Sequence, residues 1–330
     1  MDLLCLLKLV LTSMISIVIP IFNEEENLNL LRDRIFKASE SWGDSFELIL
    51  VDDGSFDNSL TIMTDFTKDD EKIKVVKLSR NFGHQAAISA GMKISTGDVV
   101  VVMDGDLQDP PEELPRFLKK WKEGYQVIYA IRKNRKEFFL KKIAYKLFYR
   151  LLSMISDIDI PLDSGDFCVM DRKVVDVLNI QMIEQNRFVR GLRAYAGFRQ
   201  IGVEYDRAER AAGEVKYTFK KLVKLALDGI FDFSTFPLRI ATYFGFFVSM
   251  LSFVAGIFFI IHRIIDFKIL GYSPADVPGV ASIAVAVFFL SGVILVVLGI
   301  IGEYIGRIYF EVKKRPFYII EDIIGQPHNE

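Results

Sequence analysis

Cysteine, histidine and tryptophan are scarce in this chain, and each scarcity removes a class of chemistry. Of 330 residues two are cysteine, Cys5 and Cys168, which make neither a zinc-ligand pattern nor a disulfide framework. The three histidines, His84, His262 and His328, are too few and too scattered for a histidine metal centre, so a metal here must be bound by oxygen. Positive charge is not in surplus. The net charge of −2 argues against a nucleic-acid binder driven by phosphate contacts. No G-x-G-x-x-G and no Walker A run occurs, so neither the dinucleotide fingerprint nor the P-loop is available. Apolar residues, by contrast, make up 51% of the chain and the mean hydropathy is +0.27, unusual for a purely soluble enzyme. The length has room for two domains, or for one domain with membrane elements.

The most informative stretch is Val99 to Glu112, VVVVMDGDLQDPPE. Val99 to Met103 is the short β-branched run expected of a strand covered on both faces. It ends in Asp104, Asp106, Gln108 and Asp109, and residues two apart on an extended chain point the same way. Asp104 and Asp106 are therefore expected to present oxygens side by side at the strand's carboxyl end. Like charges so close repel unless a cation lies between them. Hard divalent ions take oxygen ligands, and Mg2+ commonly shares itself with substrate phosphates. A lone D-x-D would read as a solvated acidic turn. A hydrophobic strand running straight into the cluster favours a ligand site, because open α/β sheets bind ligands at the carboxyl ends of their strands.

Earlier segments repeat the pattern. The strand from Ile15 is followed by Asn23 as a helix N-cap with Glu24 to Glu26 in the first turn. Leu28, Leu31 and Ile35 then recur at helical spacing. A strand at Phe46 to Val51 runs into Asp52-Asp53-Gly54-Ser55, and one at Lys74 to Leu78 into Arg80 to His84. A helix at Glu112 to Glu123 and a strand at Val127 to Ile131, ending in Arg132, come next. The alternation predicts an α/β fold with a mainly parallel, doubly wound sheet. Its polar clusters, Asn23 to Glu26, Asp52 to Ser55 and Asp104 to Asp109, gather on one sheet edge.

Two later segments mix basic and apolar residues. Phe138 to Ile155 carries Lys141, Lys142, Lys146 and Arg150; Tyr217 to Phe233 carries Lys220, Lys221 and Lys224. Such helices suit an anionic membrane surface, though an ordinary core-facing helix with a solvated edge fits the first equally well. Ile240 to Ile261 and Val277 to Gly302, 22 and 26 residues without a charge, each exceed the roughly 30 Å hydrocarbon core. Positive residues crowd their outer flanks (Lys216, Lys220, Lys221, Lys224, Arg239; Arg307, Lys313, Lys314, Arg315) and are few between them. The positive-inside rule then puts the catalytic domain and the C-terminus in the cytoplasm. The expected layout is an N-terminal extension (1–14), not of signal-peptide type, a catalytic domain (15–235), a transmembrane hairpin (236–305) and a cytoplasmic tail (306–330).

Taken together, IVIPIFNEEENL, VDDGSFDNS, RNFGHQAAISAG, MDGDLQDPPEE, LDSGDFCVMDR and the paired spans resemble the polyisoprenyl-phosphate glycosyltransferases. These are bacterial relatives of dolichol-phosphate mannose synthase within glycosyltransferase family 2. The similarity runs from about Ile15 to Ile320. It implies a GT-A, Rossmann-like fold, and inverting transfer of a hexose from a nucleotide sugar to a lipid phosphate. For the two-span, undecaprenyl-type members most similar to this chain, the donor implied is UDP-glucose. By resemblance, Pro20, Asn23, Glu25, Asp52 and Asp53 match positions that hold the nucleoside. Asp104, Asp106 and Gln108 match the Mg2+ or Mn2+ and diphosphate motif, with Asp106 also counted catalytic. Arg132 and Lys142 match basic positions facing the acceptor phosphate, and Arg210 and Lys216 a basic segment near the donor phosphates. That segment departs from the usual G-x-S-K-Y: Val215 stands in Gly213-Glu214-Val215-Lys216-Tyr217, which removes a hydroxyl. Asp166 is the candidate carboxylate nearest the reacting centre, as base or as orienting group; the alternative is a structural turn aspartate.

The implied partners are a UDP-sugar, a polyisoprenyl phosphate and the inner-membrane bilayer, with no nucleic acid and a homo-oligomer left open. A processive polysaccharide synthase would add Q-x-x-R-W and more spans, but no tryptophan follows Trp121. A D-x-D phosphotransferase would want Thr or Val where Gln108 stands and an aspartyl nucleophile on the first strand. A membrane-anchored nucleotide-binding or lipid-transport partner without transferase activity is compatible with the same residues.

Overall fold

Eight apolar runs supply the strands of one sheet. The structure is a computed structural model and describes residues 13–132, 164–185, 187–206, 236–265 and 279–325. The chain divides into two units, Met1–Val223 with Arg315–Glu330, and Lys224–Lys314. In the first, β1 (Met14–Ile21) leads to α1 (Leu28–Ser39), β2 (Ser45–Asp52) to α2 (Ser59–Asp69), and β3 (Ile73–Leu78) to α3 (His84–Ile94). Next come β4 (Val99–Val102), a 3-10 turn at Pro111–Glu113, α4 (Leu114–Lys122) and β5 (Val127–Arg132). Then follow β6 (Ser164–Asp171), α5 (Arg172–Asp176), α6 (Val189–Tyr195), β7 (Gln200–Tyr205) and, from the end of the chain, β8 (Ile320–Ile324).

The sheet order is β7-β5-β6-β4-β1-β2-β3-β8. β1 to β4 pair in parallel, as does β5 with β7, while β6 and β8 run against their neighbours. The parallel centre meets the expectation; the sheet as a whole is mixed. β4 is buried throughout and β1 from Ile15 onward, as a strand covered on both faces requires. On one face Ile15, Ile17, Ile19 and Ile21 pack with Leu28, Leu31 and Ile35 of α1. On the other lies α3, where Gly91 lets the helix approach: a Cβ there would stand 2.3 Å from Val18 Cγ1 and 2.9 Å from Val51 Cγ2.

Pro20 is tolerated in a central strand because β4 has already parted from β1. The last paired residue is Val18, opposite Val102, and past it no ladder bond needs a Pro20 N–H. Two local expectations are corrected. Asn23 does not cap α1, which begins at Leu28 after Asn27 and has no acidic residue in its first turn. Instead Asn23 takes a left-handed conformation, φ 55°, which asparagine tolerates. Residues 306–325, expected as a tail, complete a long helix and supply β8, joined to β3 by pairing and by a Lys77–Glu321 ion pair at 2.8 Å.

The second unit holds α7 (Phe236–Ile265) and α8 (Gly279–Lys313), of 30 and 35 residues. Both are long and apolar enough to cross a membrane, over Phe236–Phe258 and Phe289–Lys313. Their apolar side chains stand largely exposed: Phe246 and Phe253 are 70% exposed and Leu295 69%. α8 continues past the expected limit at Gly302, with Glu303 and Arg307 paired one turn apart at 2.9 Å. The segments 138–156 and 217–233, expected as interfacial helices, lie outside the described residues.

One buried carboxylate ties the sheet together away from its ligand edge. Glu47 of β2 accepts from Ser16 Oγ (2.6 Å), Thr96 N (2.7 Å), Thr96 Oγ1 (2.9 Å) and Lys74 Nζ (2.7 Å). Burial alone would raise its pKa, but these donors outweigh it and hold the carboxyl below its ordinary 4.5. Its stabilisation is therefore complete above about pH 4.5 and lost as the pH falls through the lower folded value. Glu47→Ala, which strands Lys74 and three further donors, is expected to cost about 3 kcal/mol at neutral pH. Urea unfolding of the detergent-purified chain checks this: the deficit must shrink as the solution is acidified.

Candidate active site

The direction of the strands assembles the site. β1, β2, β3, β4, β5 and β7 share one direction, so their carboxyl ends meet at one edge. β6 runs the other way and brings its amino end there. In the β4–β6 register Val102 faces Cys168; continued by two residues, it sets Asp104 opposite Asp166. These two carboxylates, Asp104 just beyond the end of β4 and Asp166 near the start of its neighbour β6, form the centre of the site.

β4 stops at Val102, so Asp104 and Asp106 lie in a turn rather than on an extended strand. The turn is closed from within: Asp106 Oδ1 accepts from Gln108 N (3.2 Å), Asp109 Oδ2 from Asp104 N (3.4 Å), and Leu107 takes φ 63°. Asp109 Oδ1 is held by the Tyr205 hydroxyl of β7 at 2.8 Å. Asp166 is gripped by Arg190 of α6, and His84 at the start of α3 places Nε2 3.3 Å from Asp166 Oδ2 and 3.5 Å from Asp104 Oδ1.

Protonation follows from this crowding. Burial, then the charge of Asp109, pushes the Asp104 carboxyl up to about 7; Asp166 and Asp106 add to the effect and His84 opposes it. Burial acts the same way on Asp166, but Arg190 and His84 overcome it and hold that carboxyl well below the usual range. For His84 burial opposes the charged form, yet the two aspartates raise its pKa to about 9. At neutral pH an imidazolium thus sits between two carboxyl groups.

The nucleoside candidates are gathered a few residues away and are laced together. Asn23 Oδ1 accepts from Phe56 N (2.8 Å), and Asn23 N donates to Ser55 Oγ (3.1 Å). Glu25 Oε2 accepts from Asn58 N (3.0 Å) and Nδ2 (2.9 Å). Asp52 Oδ1 accepts from Ser55 N at 3.1 Å, and buried Asp53 takes the Phe82 and Gly83 N–H groups that precede α3. Burial raises the Asp53 pKa in spite of those two donors. Gly54, at φ 71°, allows the close approach: a Cβ there would lie 2.6 Å from Asn81 N. Arg132 ends β5 opposite Tyr205, at the same edge. Lys142, Arg210, Lys216 and Val215 lie outside the described residues.

Reasoning from the sequence missed His84, Arg190 and Tyr205 as site residues. His84 carried a signal, since it closes a polar loop after β3; Arg190 and Tyr205 come from later elements whose placement only the β6 reversal reveals. A divalent ion is testable on these residues. Among the described residues no three His, Cys, Asp or Glu side chains are grouped as a complete protein cage. Asp104 Oδ1, however, is buried with no hydrogen-bond partner, amid the carboxylates of Asp106, Asp109 and Asp166. An orphaned oxygen in a carboxylate cluster fits a hard cation that completes its shell with water and phosphate.

A parallel sheet edge carrying acidic turns, with a two-carboxylate platform suited to a cation and a phosphate group, defines an α/β enzyme of the sugar-nucleotide type. The chain belongs to glycosyl transferase family 2, whose description matches residues 16–178, and the resemblance read from its motifs is borne out. It is 45% identical over 311 residues, 94% of each chain, to the uncharacterized glycosyltransferase YkcC of Bacillus subtilis (strain 168). It is 40% identical over 309 residues to the bactoprenol glucosyl transferase of Shigella phage SfX, covering 93% of this chain and 98% of that one. Among solved structures, the glucosyl-3-phosphoglycerate synthase of Mycobacterium tuberculosis is similar at 21% identity over 66% of this chain and 78% of the other, with a TM-score of 0.44. The protein is therefore a glycosyltransferase, GT-A-like in its α/β fold.

Binding to the folded state stabilises it by mass action, about 2.7 kcal/mol at a ligand concentration 100 times Kd. Saturating Mn2+ is expected to raise the unfolding temperature of the wild-type protein and to leave that of Asp104→Asn unchanged. Differential scanning fluorimetry with and without EDTA reads the difference; equal responses would remove Asp104 from the cation site.

Proposed function

We propose that this glycosyltransferase moves glucose from UDP-glucose to a polyisoprenyl phosphate of the undecaprenyl type at the cytoplasmic face of the membrane, with inversion. The observation that carries the reading is the near full-length similarity, at 40 to 41% identity, to proteins named bactoprenol glucosyl transferases. The two exposed apolar helices support a membrane acceptor, since a lipid phosphate stays at the headgroup level and an anchored enzyme meets it there.

Asn23, Glu25, Asp52 and Asp53, with Pro20 below them, would form the nucleoside end of the donor crevice, and Asp104 the diphosphate end. A divalent ion held by Asp104, Asp106 and Gln108 would neutralise charge developing on the leaving diphosphate. Arg210 and Lys216 would add positive charge to the same group, and Arg132 and Lys142 would receive the acceptor phosphate. Attack from the face opposite the diphosphate turns an α-linked donor into a β-linked lipid product. The acceptor needs little help from a base: a phosphate monoester with a second pKa near 6 is largely dianionic at neutral pH. That suits an Asp166 already bound by Arg190, as a carboxylate that orients rather than one that takes a proton.

Asp106→Asn is expected to abolish transfer while the protein still folds and enters membranes. Wild-type protein is expected to label undecaprenyl phosphate from UDP-[14C]glucose and to leave free sugars unlabelled. Lipid extraction and thin-layer chromatography read both results. Full activity in Asp106→Asn would reject the metal role, and labelling of free sugar would reject the acceptor.

A further inference from the structure

The grip on Asp166 is fastened from two sides. Arg190, in the first turn of α6, donates Nε–H to Oδ1 and Nη2–H to Oδ2 of Asp166, each at 2.8 Å. A guanidinium fork fixes the plane of a carboxylate as no single donor can. α6 is in turn tied to α3, because Gln85 Oε1 accepts the Val189 N–H at 3.0 Å, one of the donors a helix start leaves unpaired. The residue before Gln85 is His84, which stands between Asp166 and Asp104 at 3.3 and 3.5 Å. Consecutive side chains of α3 therefore hold both the carboxylate and the helix that carries its other partner.

A purely structural ion pair has no reason to sit here. Setting Asp166 opposite Asp104 costs electrostatic repulsion, and the imidazolium and the guanidinium offset it at a place where the strands could have carried apolar residues. An ionised carboxylate offers about four lone-pair sites; the fork takes one on each oxygen and His84 a further one on Oδ2, which leaves acceptor capacity on Oδ1 for a hydroxyl. We infer that Arg190, His84 and Gln85 are positioning residues that set Asp166 against Asp104, so that Asp166 receives a hydroxyl of the transferred hexose in one orientation. This rests on the transferase reading above.

The test uses full-length protein in detergent, UDP-[14C]glucose, undecaprenyl phosphate and Mn2+. Arg190→Ala is expected to lower kcat on the order of 10²-fold, the penalty of a misplacement of about 1 Å, with KM for UDP-glucose little changed. UDP binding by calorimetry is expected to stay near wild type and unfolding to remain cooperative, at a lower midpoint because an ion pair to the buried Asp166 is lost. Arg190→Lys recovers only part of the loss, because an ammonium cannot fork. Gln85→Leu gives a smaller loss of the same kind, and His84→Gln keeps more activity than His84→Ala. An unchanged kcat in Arg190→Ala overturns the inference while leaving the transferase reading intact. Joint loss of UDP binding and of the thermal transition overturns it too, by marking the pair as structural. Wild-type protein that labels no lipid sinks the transferase reading and this inference with it.

Discussion

Crowding of like charge at the carboxyl edge of the sheet governs the rest of the molecule. Asp106, Asp109 and Asp166 approach Asp104 closely enough to push its carboxyl pKa up. Such a cluster survives in a folded protein only if cations and hydrogen-bond donors face it. The chain supplies them from elements far apart in sequence: an imidazolium from α3, a guanidinium from α6, a hydroxyl from β7. One oxygen, Asp104 Oδ1, makes no hydrogen bond and has only the His84 imidazole 3.5 Å away. The structure thus offsets most of the repulsion and keeps a single unmet demand at the point where chemistry is wanted.

The antiparallel strand β6 makes this possible. A parallel neighbour of β4 would direct its own carboxyl end to the edge and continue into a loop. A reversed neighbour begins there, so Asp166, near its start, reaches the edge just before the β4–β6 ladder begins at Cys168 and is fixed by Arg190. The catalytic candidates accordingly sit on or beside rigid strands, while the nucleoside candidates sit on two loops that hydrogen-bond to each other. Precision is greatest where the reaction is proposed and adaptability greatest where the base would enter.

Much of the first hundred residues was legible because local pattern and final environment agree there. Unbroken apolar runs such as Val99 to Val102 are strands only if both faces are covered, and both are. What could not be read was pairing direction. The run Ser164 to Asp171 contains glycine, cysteine and charge, and nothing in its composition says that it reverses. The cap of α1 was misread for a different reason: Asn23 suits either a helix start or a left-handed turn, and the choice was made by Phe56 N, 33 residues away. The D-x-D was found correctly as a cluster but wrongly as an extended one, since the turn depends on Asp109 and on Tyr205 from β7.

β8 bears on how the protein is made. β3 emerges from the ribosome early, yet its outer edge is matched only by Ile320–Ile324, so that the Lys77–Glu321 pair spans 244 residues. Throughout translation of everything in between, including both long apolar helices, the nascent sheet carries an unzipped flank of N–H and C=O groups, a template for wrong partners. Final closure of the domain is thus a late event in synthesis, and a growing chain held up before that point would be most exposed to misassembly at β3.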